Sequence, residues 1–355
     1  MIYREAGQFR TTYAADQRIF PIAQDRVGVA LLLAAAFVGV PLLASNYVLT
    51  ALLIPMLVLT LAALGLNILT GYAGQFSLGT AAFMSVGAFA AYNIQLRLPW
   101  MPLLLTFALA GLTSAGVGLV FGLPSLRIKG FYLAVATLAA QFFVDWLFTK
   151  VGWFSNYSSS GVITAQRMVI AGVAFETPAR RYVLVLSIVA TLALVAKNLS
   201  RTRTGRSWMA VRDMDVAAEV IGIPILRTKL TAFAVSSFYC GVSGALWAFA
   251  YLGTVEPQAF DLQRSFQILF MVIIGGLGTV MGAFLGAAFI MLFPLFLNWM
   301  FHAVVRGDVR PGLLSQLELV CFGALIILFL ILEPHGLARL WQIGKEKLRL
   351  WPFPH

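Results

Sequence analysis

The chain has 355 residues, of which 60% are hydrophobic and 11% charged, with a net charge of +11 and a mean hydropathy of +0.88. These values exclude an ordinary soluble globular domain, and the lack of apolar/polar alternation excludes a membrane β-barrel. Nucleic acid is not an expected partner despite the basic balance, because no basic run is interleaved with aromatics; excess Lys and Arg instead suits loops on one side of a membrane.

The chain opens on "MIYREAGQFRTTYAADQRIFPIAQDR", which mixes both charges and lacks the apolar run and cleavage site of a signal peptide, so residues 1–26 read as a cytoplasmic tail. About ten apolar segments follow, each near the ~20 residues that cross a bilayer as a helix: 27–44, 48–69, 76–95, 101–122, 131–149, 182–197, 231–252, 265–281, 282–302 and 314–333. The fold class is therefore all-α, a polytopic helical membrane protein. With the N-terminus inside, ten crossings return the C-terminal tail, 341–355, to the inside, and put Arg127, Lys129 and the basic 198–230 loop there as well. Lys150, Arg167, Arg180 and Arg181 fall on the other side, where long loops obey the charge rule less strictly.

Segment 76–95 follows the turn-rich "TGYAGQFSLG" and 131–149 follows "PSLRIKG", so both are candidates for broken or re-entrant helices lining a cavity. Glycines 278, 282 and 286, and likewise 118 and 122, recur at four-residue spacing, which places each set on one helix face and permits close packing. Gly275, Gly276 and Gly278 in "IIGGLGTVMG" also weaken a helix, which would suit a flexible or water-lining element.

Catalytic motifs are missing. There is no phosphate-binding loop, zinc-protease signature or nucleophile elbow, and His302, His335 and His355 are far apart in sequence. Cys240 and Cys321 fall in apolar segments and suggest neither a disulfide nor a metal site. Asp145 is the best candidate for a charge at membrane depth, although Lys150 close by also allows an interfacial place; Glu318 and Glu333 lie toward the ends of the last segment.

The 198–230 loop contains a helix-forming run from Arg206 to Ile221, stopped by Gly222 and Pro224. Arg212, Asp215 and Glu219 share a stripe beside another of Val211, Met214, Ala218 and Ile221. Such a helix suits contact with protein on more than one side; a solvated connector or a helix resting on lipid headgroups is the plainer alternative. Asp213 or Asp215 could cap a second short helix, which would divide the run.

The stretch "GRSWMAVRDMDVAAEVIGIPILRTKLTAFAVSSFYCGVSGALWA" resembles the cytoplasmic coupling segment and following helix of ABC importer permeases of the branched-chain amino acid type, in particular the larger M-type subunit. Further similar stretches run in order: "LNILTGYAGQFSLGTAAFMSVGAFAA", "LPSLRIKGFYLAVATLAAQF", "VIIGGLGTVMGAFLGA" and "LILEPHGLARL". The resemblance implies a permease domain over 27–340 in a bacterial inner membrane, with both termini cytoplasmic. It implies a sister permease, two ATP-binding subunits that carry ATP and Mg, and a periplasmic binding protein. This chain would itself bind no cofactor or metal and would not be an enzyme. Arg206, Arg212, Asp215, Ala217, Ala218, Glu219 and Gly222 would belong to the ATPase-coupling element. Tyr72, Gln75, Ser77, Tyr132, Thr137, Gly275, Gly276 and Gly278 are candidates for the translocation pathway, each with a packing or capping role as the alternative.

The sequence departs from the family pattern at "NYSSSGVITAQ", where many relatives carry T-G-G-x-x-G-[IL]. That leaves urea, short amides and small carboxylates, including aromatic ones, as alternatives to an amino acid. A self-sufficient carrier or channel is the rival class, but neither a membrane-centred ionisable cluster nor inverted repeats stand out.

Overall fold

In the computed structural model the described residues are 12, 23–125, 132–158, 162–166, 168–170, 173–304 and 336–350, with isolated helical positions between 320 and 331. Helix α1 covers residues 23–43, α2 Val48–Tyr72, α3 Thr80–Arg97, α4 Leu103–Ser125, α5 Tyr132–Lys150 and α6 Pro178–Arg201. Two short helices follow, α7 Arg203–Asp213 and α8 Asp215–Val220. The rest are α9 Ile225–Leu252, α10 Leu262–Gly275, α11 Val280–Val304 and α12 Gly336–Leu350. Arg127, Lys129, Gly161, Arg167, Glu318, Glu333, His335, His355 and most of the expected 314–333 segment lie outside the described residues.

Among the described residues seven helices are long and apolar enough to span a bilayer: α1, α2, α4, α5, α6, α9 and α11. Of the other expected segments, α3 is more polar, ending in Asn93, Gln95 and Arg97, α10 has only 14 residues, and 314–333 lies mostly outside the described residues. At 1.5 Å per residue α10 is about 21 Å long, short of a ~30 Å core.

Proline and glycine explain the irregular turns. The π-turns at Ala35–Gly39 and Val48–Leu53 directly precede Pro41 and Pro55, whose missing N–H and ring bulk disrupt the regular ladder one turn back. The expected division at 281/282 is displaced: the break covers 276–279, where Gly276 (φ 115°) and Gly278 (φ 75°) take angles that side chains disfavour. Gly278 is therefore not on a helix face with Gly282 and Gly286. Those two pack against Gly275 instead, where an added Cβ would come 3.1 Å from the Gly286 nitrogen, so α10 and α11 form a close hairpin.

The core centres on α9 and α2, whose most apolar 18-residue windows are 83% and 67% buried; α9 packs on α4, α3 and α2, and α2 also holds the α10/α11 hairpin. The apolar window of α1 is 0% buried, so this helix rides on the outside of the bundle. Four two-residue strands form two small antiparallel pairs. Strand β1 (Ile163–Thr164) joins β4 (Thr254–Val255), tying the loop after α5 to the turn after α9, and β2 (Val169–Ile170) pairs with β3 (Val173–Ala174).

The run from Arg206 to Ile221 is not one helix. It breaks at Met214, which is extended (φ −159°, ψ 98°), and α8 begins at Asp215 without a side-chain cap from Met214. Gly222 (φ 87°) closes α8 and Pro224 leads into α9, as the stop signal implied.

Candidate functional site

Two sets of bonds organise the bundle around its non-helical backbone. The first lies where α2 ends. Helix α7 is seated on α9 by Trp208, 1% exposed, whose indole N–H donates to Thr231 Oγ1 at 3.1 Å. From the last turn of α7, Arg212 Nη1 donates to the carbonyl of Gly71 at 2.8 Å, while its Nε and Nη2 hold Asp213 Oδ1 at 2.9 and 2.8 Å. One turn earlier in α2, buried Asn67 clamps the 276–279 break. Its Nδ2 donates to Thr279 O at 2.7 Å and its Oδ1 accepts from Gly278 N at 2.8 Å. An asparagine amide mimics a peptide group, so it satisfies a donor and an acceptor that the interrupted helix leaves open. Gly71, Gly74 and Gly278 surround this junction: a Cβ on Gly74 would lie 2.8 Å from Arg212 Cγ, and one on Gly278 would lie 3.4 Å from Gly71 O.

The second set lies where α3 begins. The chain leaves α2 at Tyr72, runs non-helically through 73–79 and re-enters a helix at Thr80. A buried helix start exposes N–H groups that need acceptors. Thr137 Oγ1 accepts from Leu78 N at 2.9 Å, Ser265 Oγ from Ala81 N at 2.9 Å, and Gln141 Oε1 from Ala82 N at 2.6 Å. Gln141 Nε2 in turn donates to Phe260 O at 2.7 Å. Two helices, α5 and α10, thus cap a third, α3. Replacing Gln141 by leucine strands both the Ala82 N–H and the Phe260 carbonyl, at about 1–3 kcal/mol for each buried orphan. The expected result is a clear drop in thermal midpoint of the detergent-solubilised protein, with Gln141→Glu, which keeps an acceptor for Ala82, less affected.

The proposed pathway residues divide accordingly. Ser77 (2% exposed) and Thr137 (1%) meet at the α3 entry, and Tyr72 (9%) and Gln75 (4%) lie at the α2 exit. Both side-chain amide atoms of Gln75 lack a partner, although its backbone is held by Leu69 O and Thr70 Oγ1. Gly276 and Gly278 form the hairpin break beside Asn67, and Gly275 ends α10 packed against Gly282 and Gly286. Tyr132, 71% exposed at the start of α5, is on the outside of the bundle, away from these. Asp145 is also exposed on α5.

The coupling candidates divide as well. Ala218 (2% exposed) is buried against the bundle; Arg206, Ala217, Glu219 and Gly222 are exposed, Asp215 is intermediate, and Arg212 turns inward to Gly71. The stripe of Val211, Met214, Ala218 and Ile221 is split by the break. Val211 is buried, whereas Met214 (66%), Val216 (63%), Val220 (82%) and Ile221 (73%) stand out as an apolar face. An apolar cavity of about 580 Å³ between α3, α4 and α5, lined by Phe89, Phe121, Phe143 and Phe148, has almost no polar surface and suits lipid chains better than a polar solute. Sequence reasoning passed over Asn67, Gln141 and Ser265, which look like ordinary polar residues in apolar helices. The available signal was a carboxamide or hydroxyl within a spanning segment, which needs a partner wherever it is.

Seven helices long and apolar enough to span a bilayer, non-helical breaks at 73–79 and 276–279, and a short two-helix element suit a membrane permease. The chain belongs to the branched-chain amino acid transport system / permease component family, whose model matches residues 48–330. It is 29% identical over 299 residues to the high-affinity branched-chain amino acid transport system permease protein LivM of Salmonella typhimurium, and 28% identical over 299 residues to that of Escherichia coli. Each alignment covers 77% of this chain and 66% of the relative, so the chain spans just under two thirds of their length. The probable LivM of Methanocaldococcus jannaschii is 24% identical over 313 residues, 78% of this chain and 89% of the relative. No solved structure matches the chain.

Proposed function

We propose that the chain is the membrane-spanning permease subunit of an ATP-driven importer, which passes a branched-chain or related amino acid received from a periplasmic binding protein. The observation that carries this reading is the exposed apolar face of α8 on an element otherwise tied into the bundle. An apolar patch of this kind in a basic loop suits a protein partner. A cytoplasmic ATP-binding subunit is that partner, one of two that supply ATP and Mg, and a sister permease completes the membrane pore. The α7/α8 end then faces the cytoplasm of a bacterial inner membrane, with the termini on the same side.

The mechanism is alternating access. Closure of the ATPases displaces α8 and α7; Arg212 passes that displacement to the end of α2, and Asn67 passes it to the 276–279 break. The loaded binding protein biases the opposite gate, and each partner must bind the two conformations unequally for coupling to exist. The test is ATP-dependent uptake of L-leucine by proteoliposomes holding the full complex and its binding protein. Val220→Asp and Glu219→Lys should leave insertion intact and strip the ATPase during purification. A complex retaining full stoichiometry and transport with both substitutions would remove α8 as the docking element, and a lone chain that transports without any ATPase would favour a self-sufficient carrier.

A further inference from the structure

The first turn of α10 contains a cation, Arg264, whose nearby carboxylate on the N-cap Asp261 makes no direct ion pair with it. Arg264 follows the N-cap Asp261, whose Oδ1 accepts from the Arg264 backbone N–H at 2.9 Å; no ion pair joins the guanidinium to a carboxylate among the described residues. Arg264 Nη1 donates to Gln267 Oε1 at 2.7 Å, while its Nε is buried without an acceptor. The guanidinium carbon lies 4.6 Å from the ring centroid of Trp247, which is 3% exposed and whose own indole N–H also has no acceptor. The Tyr251 ring is tilted against Trp247, with ring centroids 4.6 Å apart.

Two buried donors side by side without acceptors are costly, and a cation at a helix N-terminus adds to the positive end of the helix dipole. A second dipole adds to it. Ser265, the next residue, bonds Ala81 N in the first turn of α3, so the N-terminal ends of α3 and α10 converge here. Thr80 Oγ1, 1% exposed in that turn, is likewise unpaired. The N–H groups of Leu78, Ala81, Ala82 and Arg264 at these two helix starts have side-chain acceptors, so the open N–H donors are Arg264 Nε and the Trp247 indole N–H. Positive charge with orphan donors beside two helix N-termini describes a receptor for an anion, and a guanidinium fork matches a carboxylate in geometry.

We infer that Arg264 and the indole N–H of Trp247 form a carboxylate-binding site within the bundle, at the level where α3 re-enters its helix, for the carboxylate of the passing solute. The inference rests on the proposed import function and names the chemical group that the pore recognises. Gln75, Ser77 and Thr137 line the neighbouring non-helical backbone, and Arg264 supplies the charge that they lack.

The test uses the complete complex in detergent, titrated with isovalerate and L-leucine and, as controls that lack the carboxylate, isovaleramide and L-leucinamide, with melting temperature read against concentration. The carboxylates should give saturable stabilisation and the amides little. Arg264→Gln should raise the half-saturating concentration about tenfold or more, Arg264→Lys should raise it less, and Trp247→Phe should raise it several-fold. Equal responses to acids and amides, or unchanged half-saturation in Arg264→Gln, overturns the site. If Arg264→Gln fails to assemble or loses another permease chain, Trp247→Phe decides, since it keeps an aromatic ring beside the guanidinium and removes the N–H together with the five-membered ring that carries it; wild-type binding by that variant overturns the proposal. Uptake separates the two readings. Carboxylate binding through Arg264 without L-leucine transport by the unaltered complex defeats the amino-acid reading and keeps the site, whereas L-leucine transport unaffected by Arg264→Gln does the reverse.

Discussion

Asn67→Leu is expected to abolish uptake and to lower the stability of the bundle by about 2–5 kcal/mol. Leucine keeps the branched shape but is bulkier and carries no polar atom, so the Gly278 N–H and the Thr279 carbonyl lose their only described side-chain partner. Both lie in a break flanked by closely packed helices, where no other side chain is recorded bonding to them. Asn67→Asp separates the two contributions, because it still accepts from Gly278 but faces the Thr279 carbonyl with a second acceptor. Its expected place is between wild type and Asn67→Leu in thermal midpoint, with uptake closer to the leucine variant. Melting in detergent and uptake in proteoliposomes measure the two effects. A leucine variant that transports normally would show that the clamp on the hairpin break is dispensable.

Arg212→Gln is expected to leave folding and ATPase association nearly intact and to reduce uptake at least about tenfold while ATP hydrolysis continues. The energetic argument is modest for stability: Arg212 is partly exposed, and its pair with Asp213, side chains 36% and 66% accessible, contributes little as a surface ion pair. What is lost is the bond to Gly71 O, the only hydrogen bond described between α7 and the end of α2. Trp208 continues to hold α7 on α9, so the element stays docked but loses its tie to the helix that carries Asn67. Arg212→Lys can still reach a carbonyl with a single donor and should recover part of the transport. Hydrolysis measured together with uptake gives the coupling ratio; a ratio equal to wild type in Arg212→Gln would move the transmission path elsewhere. This outcome differs from that expected of Glu219→Lys and Val220→Asp, which act on the exposed face of α8 and should remove the ATPase itself.

Arg212 shows how far a sequence can place a functional residue. Its position in the loop resembling a coupling segment, and its stripe with Asp215 and Glu219, are legible from spacing alone. The stripe suggested a common face. In the structure the backbone turns at Met214, so Arg212 points back to Gly71 while Glu219 points outward, and a single residue in an extended conformation separates the roles. Periodicity does not report this turn; the sequence signal for it is Asp213 or Asp215 as the start of a second short helix, and the second helix does begin at Asp215. Glycines 275, 276 and 278 were a visible weakness, but their spacing also fitted helix packing, and both readings hold in part: Gly275 packs against the next helix, while Gly276 and Gly278 form the break.

Hydrophobic length and composition by themselves determined that this chain is an all-α membrane protein, and the quoted stretches pointed to the permease-component family whose model matches residues 48–330. Those features are local or cumulative; each apolar run reports its own burial from water, and each glycine or proline reports its own backbone. The tertiary structure alone decided that Asn67 meets Gly278 and Thr279, 211 and 212 residues away, that Gln141 and Ser265 cap α3, and that Arg264 rests on Trp247. A polar group in an apolar helix must find a partner, yet its own segment says only that it needs one. Which one it finds is set by how the helices pack.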